Sequence, residues 1–203
     1  ASALIGSLLV VQGGKTQGTT GGGYTYNSAP SDAQMYTLDL SSSFPLSSPP
    51  WQSVSTQPSS TAAPAVSFHT ISPLNASSLL LFGGDGSPLV PVPTGNDSAY
   101  IVHLGGSQSN RTAAYQPVPA SWNQPMRRMH HTSESNAQGS VWILGGERAD
   151  GSGSIFDQQW TIDTTTSSPS FQLMSSSPPG SLVGSTSTML SDGTLLLLGG
   201  LDA

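Results

Sequence analysis

The chain is punctuated by one recurring pattern: a Ser or Thr, four apolar residues and a glycine pair. It reads Ser78-Leu-Leu-Leu-Phe-Gly83-Gly84, Ser140-Val-Trp-Ile-Leu-Gly145-Gly146 and Thr194-Leu-Leu-Leu-Leu-Gly199-Gly200. A fourth copy, Leu8-Leu9-Val10-Val11-Gln12-Gly13-Gly14, carries Gln12 in the last apolar slot. Four apolar residues in a row predict a short strand buried on both faces. The glycine pair ends it and permits backbone angles that other residues avoid. Successive pairs lie 70, 62 and 54 residues apart, and self-similarity at long period points to a repeat architecture.

The rest of each repeat keeps one order. A polar loop follows the glycines, then a second strand: Tyr36-Thr-Leu-Asp-Leu40, Tyr100-Ile-Val-His-Leu104 and Trp160-Thr-Ile-Asp-Thr164. A third strand opens with an aromatic residue and Gln at Trp51-Gln52, Tyr115-Gln116 and Phe171-Gln172. A Pro-rich link leads to one more strand before the next glycine pair. There His69 and His131 each stand 14 residues ahead of the pair, and Ser185 takes that place in the last repeat. Ser191-Asp192-Gly193-Thr194 reads as a tight hairpin turn. Four strands per repeat predict propeller blades over segments 1–58, 59–120, 121–178 and 179–203.

Composition narrows the function classes. Charged residues make up only 8% and the net charge is −6, with Lys15 the sole lysine. No basic stripe exists to neutralise phosphates, which argues against nucleic acid as a partner. The apolar runs fall far short of the ~20 residues a membrane helix needs, so no membrane insertion is expected of this segment. The first residues show neither a charged start nor a long apolar stretch, so no signal peptide is visible; a processed chain reads the same. With no cysteine, disulfides, thiolate metal sites and cysteine nucleophiles are excluded. Three glycosylation sequons begin at Asn75, Asn96 and Asn110, all in expected loops, and favour an extracellular or cell-surface setting.

These marks resemble the kelch repeat family: the diglycines such as Gly83-Gly84, the aromatic of the next strand such as Tyr36, and Trp51 with its counterparts. Arg127-Arg128-Met129-His130-His131 is kelch-like as well. The Ser-rich repeats and the sequons look most like the fungal galactose oxidase/kelch group of surface or secreted proteins. The resemblance implies an all-β kelch-type propeller of about three and a half four-stranded blades, incomplete or completed by a second chain or fragment. It also raises the copper radical oxidases. Those need a cross-linked tyrosine–cysteine pair, which a chain without cysteine lacks.

Candidate chemistry is sparse. Lys15 and Thr16 follow a glycine pair, but Leu9 stands where a phosphate loop needs its first glycine. Asp150 to Asp157 lacks the ligand set of a calcium loop. His69 and His131, at matched positions, read as repeated structural hydrogen-bonding groups, and Asp39, His103 and Asp163 as turn formers. Adjacent His130 and His131 point to opposite faces of a strand, poor geometry for a shared metal. Lys15, Asp85 and Glu147 each follow a glycine pair and open the loops 15–32, 85–97 and 147–157. Those loops gather at one rim, where a ligand site is expected. Trp122 lies outside the repeat, as a linker residue or a contact residue. No catalytic residue, metal or cofactor is expected. The sequence-level expectation is a non-catalytic extracellular module that binds a protein or glycan at the cell surface. The alternative is a structural fragment of a larger kelch-domain enzyme or assembly.

Overall fold

The structure is a computed structural model that describes residues 1–16, 29–86, 98–136, 138–149, 152–153, 156–174, 180 and 182–202. It is all-β, with one short 3-10 turn at Ala120–Trp122 among the described residues.

The first unit is an antiparallel meander of β1 (Ser2–Ile5), β2 (Leu8–Lys15), β3 (Ser31–Asp39) and β4 (Gln52–Thr56). The second repeats it with β5 (Ser67–Asn75), β6 (Ser78–Asp85), β7 (Ala99–Ser107) and β8 (Asn110–Pro117). A short parallel pairing of β4 with β8 joins the two into one eight-stranded sheet, ordered β1-β2-β3-β4-β8-β7-β6-β5. Its end strands β1 and β5 pack side by side, so the sheet curls nearly closed.

The third unit starts at β9 (Arg128–Met129) and continues through β10 (Thr132–Ser135), β11 (Ser140–Leu144), β12 (Glu147–Arg148), β13 (Gln159–Asp163) and β14 (Gln172–Leu173). Here β9–β12 and β10–β11 are two short ladders where β5–β6 is one long one. A last hairpin follows the same plan with β15 (Leu182–Val183), β16 (Thr186–Met189), β17 (Leu195–Leu198) and β18 (Leu201–Asp202). The strands β1, β5, β10 and β16 stand next to one another in that order. This is the arrangement of a propeller-like fold, with each unit fanning away from its inner strand.

The apolar run of β6 shows why the units stack. All eight of its residues are buried. Alternate side chains leave a strand on opposite faces, so Leu79 and Leu81 join Val10, Met35, Ile71 and Tyr115 toward the first unit. Leu80 and Phe82 join Val141, Ile143, Ile162 and Phe171 toward the third. Leu79, Leu80, Leu81 and Phe82, each at 1% exposure or less, contribute roughly 1.5–3 kcal/mol apiece.

Three expectations change. The apolar-run pattern begins the first unit at Leu8, yet Ser2–Ile5 supplies an opening strand ahead of it by pairing with Leu8–Val11. Its half-exposed alternation carries no apolar run, so only the pairing reveals it. The run Leu195–Leu198 is not buried on both faces: Leu196 is 49% and Leu198 70% exposed, because only the third unit covers this hairpin. The three aromatic residues before Gln also differ. Tyr115 and Phe171 are buried against the preceding unit, while Trp51 is 43% exposed.

Candidate functional site

The glycine pairs do more than end strands. The first glycine of the first three pairs packs on backbone of the next unit, at Val66, Arg128 and Leu182, while Gly199 of the last pair meets nothing within 4 Å. A Cβ on Gly13 would lie 2.5 Å from the Val66 carbonyl oxygen and 2.9 Å from His69 Cε1. On Gly83 it would lie 2.4 Å from the Arg128 oxygen and 2.7 Å from His131 Cε1. Gly14 N–H donates to Val66 O at 2.9 Å and Gly146 N–H to Leu182 O at 2.8 Å, so backbone bonds tie neighbouring units where the side chains vanish. His69 and His131 are therefore scaffold. Both are nearly fully buried, and burial lowers their basicity, His69 well below the usual value and His131 to about 3. Thr70 Oγ1 meets His131 Nε2 at 2.9 Å, but the repeated hydrogen bond expected of this position is made only there. Both ring nitrogens of His69 are buried without a counterpart among the described residues, so steric packing is what the two histidines share.

The residue just before each scaffold position is unusual. Phe68 (φ 59°), His130 (φ 55°) and Gly184 (φ 71°) occupy the same place in three units, all left-handed. They link head to tail across the units: His130 N–H donates to Phe68 O at 3.3 Å, and Gly184 N–H to His130 O at 2.8 Å. Left-handed backbone turns the side chains away from the strand alternation and toward the ends of β2 and β12. The Phe68 and His130 rings lie 4.5 Å apart, tilted by 54°. Lys15 Nζ sits 5.5 Å from the Phe68 ring centroid. On the other side, His130 Nδ1 donates to Glu147 Oε1 at 2.6 Å, with these side chains 29% and 21% exposed.

The row Lys15–Phe68–His130–Glu147 thus spans three units at one rim. Asp85 belongs to it. Its carbonyl accepts Ser31 Oγ and Ser67 Oγ, and its carboxyl is pushed up by burial and held back by the charges of Lys15 and Arg127. Arg127 Nε donates to Gly84 O at 2.9 Å, which anchors that cation beside the rim. Beneath lies Arg128, fully buried. Its Nη1 donates to Gly145 O at 3.0 Å and Gln158 O at 3.1 Å, and its guanidinium covers the Phe156 ring at 4.2 Å. Burial lowers its pKa to about 10, so it stays charged at neutral pH.

The rim expected from sequence brings Lys15, Asp85 and Glu147 together. Much of loops 15–32, 85–97 and 147–157 lies outside the described residues. Trp122 is elsewhere: it packs on the second apolar cluster, and its carbonyl accepts Phe171 N–H at 2.7 Å. Phe68 was not singled out, and Arg127 and His130 were noted only in the kelch-like segment and, for His130, as a poor metal pair with His131; aligning Gly184 with Phe68 and His130 marks the left-handed position. Asn75 and Asn110 are exposed at the β5–β6 and β7–β8 turns; Asn96 lies outside the described residues. Asp39 and Asp163 form turns, accepting Ser41 N–H at 2.8 Å and Thr165 N–H at 2.9 Å. His103 instead bonds Ser78 Oγ at 3.0 Å. Among the described residues no three His, Cys, Asp or Glu side chains converge on a metal position. No described helix is long and apolar enough to cross a membrane.

No family model matches the chain, and no curated protein matches it. Solved structures do. The chain is similar in fold to YjhT, with a TM-score of 0.64 and 14% identity over 98% of this chain and 57% of that one. It is also similar to a chain of RAG in complex with one melted and one unmelted RSS, with a TM-score of 0.52 and 14% identity over 89% of this chain and 50% of that one. The chain spans about half the length of either. At such identity the likeness is one of fold alone: an all-β, propeller-like architecture.

Proposed function

We propose that this chain is a non-catalytic binding module of a kelch-type propeller. It takes a protein or glycan ligand at the rim of Lys15, Phe68, Asp85, His130 and Glu147. One observation carries the reading: the left-handed position that Gly184 fills in one unit holds Phe68 and His130 in two others. A non-glycine residue there costs ~1–2 kcal/mol, and a bulky one is uncommon. Strain of this kind gathers at ligand sites. The scaffold positions beneath keep repeating while the rim side chains vary, as expected of a ligand surface on a rigid frame. The kelch type, about three and a half blades, and an extracellular setting extend the repeat pattern and the exposed sequons Asn75 and Asn110.

The test is capture of ligands on a glycan array and from an extracellular protein fraction, by the intact chain and by Phe68→Gly and His130→Gly. The reading expects saturable capture by the intact chain and its loss in both variants with the fold retained. Equal capture by all three proteins overturns it.

The exposed leucines Leu196, Leu198 and Leu201 favour a second reading, a structural part of a larger kelch-domain enzyme or assembly whose further strands cover that face. Light scattering on a size-exclusion column decides whether a second chain does so. A stable, soluble monomer argues against such a partner.

A further inference from the structure

The β3–β4 and β13–β14 connections build the same hollow twice. In β3, Thr37 and Asp39 share one face of the strand, and Thr37 pairs across it with Gln52. In β13, Thr161 and Asp163 share a face, and Thr161 pairs with Gln172. Loop hydroxyls close each site: Ser42 and Ser43 in the first, Thr166 and Ser167 in the second. The cavities measure about 190 and 420 Å³. The second unit breaks the pattern. Ile101 pairs with Gln116, His103 replaces the aspartate, and a two-residue turn, Gln108-Ser109, replaces the walling loop.

We propose that the two hollows are matched subsites for neutral sugars, each seating one pyranose ring of a glycan. Each offers a carboxylate, an amide that both donates and accepts, and threonine and serine hydroxyls. Asp39 Oδ2 also accepts Gln108 Nε2 at 2.7 Å, and Asp163 Oδ1 accepts Thr165 N–H and Oγ1–H, which leaves Asp163 Oδ2 as the acceptor facing a ligand in the second hollow. This inventory suits adjacent sugar hydroxyls. The Asp39 carboxyl is held below its usual range by Ser41, with smaller help from Arg111 and Ser7. That of Asp163 is lowered by Thr165. Both carry a negative charge at neutral pH; Arg111 lines the first hollow and offsets that charge, while no cation lines the second among the described residues, so a neutral ligand is the one that suits both. In the first hollow Phe44 and Pro50 add an apolar wall for the face of the ring. The first volume lies below the ~300–1,000 Å³ typical of larger ligands and the second in its lower part, so each hollow suits one ring rather than a longer chain.

These subsites are separate from the rim. Asp39 pairs with Leu8 at the start of β2, and Lys15 ends that strand. At ~3.3 Å per residue the two places are about 23 Å apart. A multivalent glycan engaging both hollows gains apparent affinity of ~10²-fold or more over a single ring.

The experiment titrates the methyl pyranosides of glucose, galactose and mannose into the labelled chain by NMR, alongside beads bearing the same sugars. The expected result is millimolar binding of at least one sugar, with shifts at both Thr37/Gln52 and Thr161/Gln172, and retention on its beads. Gln52→Ala and Gln172→Ala should each remove one set of shifts, and the double variant should elute in the void. Phe68→Gly should leave these shifts unchanged, whatever the rim binds. No shift with any of the three sugars, undiminished binding in the double variant, or loss of binding in Phe68→Gly would each overturn the proposal.

Discussion

Gly83 lies against His131 of the next unit, where a Cβ would come within 2.7 Å of the imidazole and 2.4 Å of the Arg128 carbonyl. His131 in turn lies under Gly146 of its own unit, whose Cβ would meet His131 Cβ at 2.7 Å. One histidine is clamped between two glycines from adjacent sheets. Gly13, His69 and Gly84 repeat the clamp one unit earlier. The packing that joins units is therefore steric and backbone-based.

Replacing Gly83 with Ala should cost about 3 kcal/mol, the left-handed penalty of ~1–2 kcal/mol plus overpacking of ~1–3 kcal/mol. Gly6 is also left-handed at φ 58°, but a Cβ there meets nothing within 4 Å. Gly6→Ala should cost only ~1 kcal/mol. Urea unfolding of both variants measures the difference. Equal losses would show that the clamp adds nothing beyond its backbone angle.

The two buried histidines make stability depend on pH. Their folded pKa values are depressed, so the unfolded chain binds the extra protons once pH falls below ~6.5. Their contribution is complete above that pH and is lost on acidification toward the folded values. Below pH ~6 each histidine should lower stability by roughly 1.4 kcal/mol per pH unit. The raised Asp85 and Glu134 carboxyls act in the opposite sense, so unfolding is followed between pH ~7.5 and ~5.5 and the slopes of the parent chain and a histidine variant are compared. His131→Gln should cut the slope by about half; an unchanged slope would mean that other groups set it.

At the rim, Phe68→Gly and His130→Gly each relieve ~1–2 kcal/mol of backbone strain and give up a ring contact of ~0.5–1.5 kcal/mol. The two effects nearly cancel, so stability should move by no more than about 1 kcal/mol. A loss above ~2 kcal/mol in either variant would mark that ring as structural rather than as ligand surface.

Ser72 Oγ and Ser133 Oγ meet at 2.6 Å between adjacent inner strands. Ser72→Ala strands its partner and should cost ~1–2 kcal/mol. Adding Ser133→Ala should recover part of that loss, because no hydroxyl is then left unsatisfied. A double-mutant cycle reads the coupling, and strict additivity would exclude a direct bond.

Much of the fold was written locally. Leu79 to Phe82 announce a doubly buried strand because four apolar side chains in a row need cover on both faces. Asp192 and Gly193 announce a hairpin because turn chemistry is local: Thr194 N–H donates to Asp192 Oδ1 at 2.8 Å. The matched places of His69 and His131 announced one repeated position, which the structure buries against the glycine pairs; Lys15, Asp85 and Glu147 were legible only as the residues that follow those pairs.

Other features depended on what stands opposite. Trp51, Tyr115 and Phe171 are equivalent in sequence, yet only the last two are buried, because burial requires a neighbouring sheet and not a motif. Leu196 and Leu198 belong to the same kind of run as Leu80 and Phe82 and lie exposed for the same reason. Phe68 holds left-handed backbone that its bulky side chain disfavours, and His130 shares it; the hydrogen bonds passed from Phe68 to His130 and on to Gly184 run through this position and exist only between units. Local pattern thus specified the strands, the turns and the repeat. Contacts between units decided which side chains became core and which became surface, since packing and strain arise only where two sheets meet.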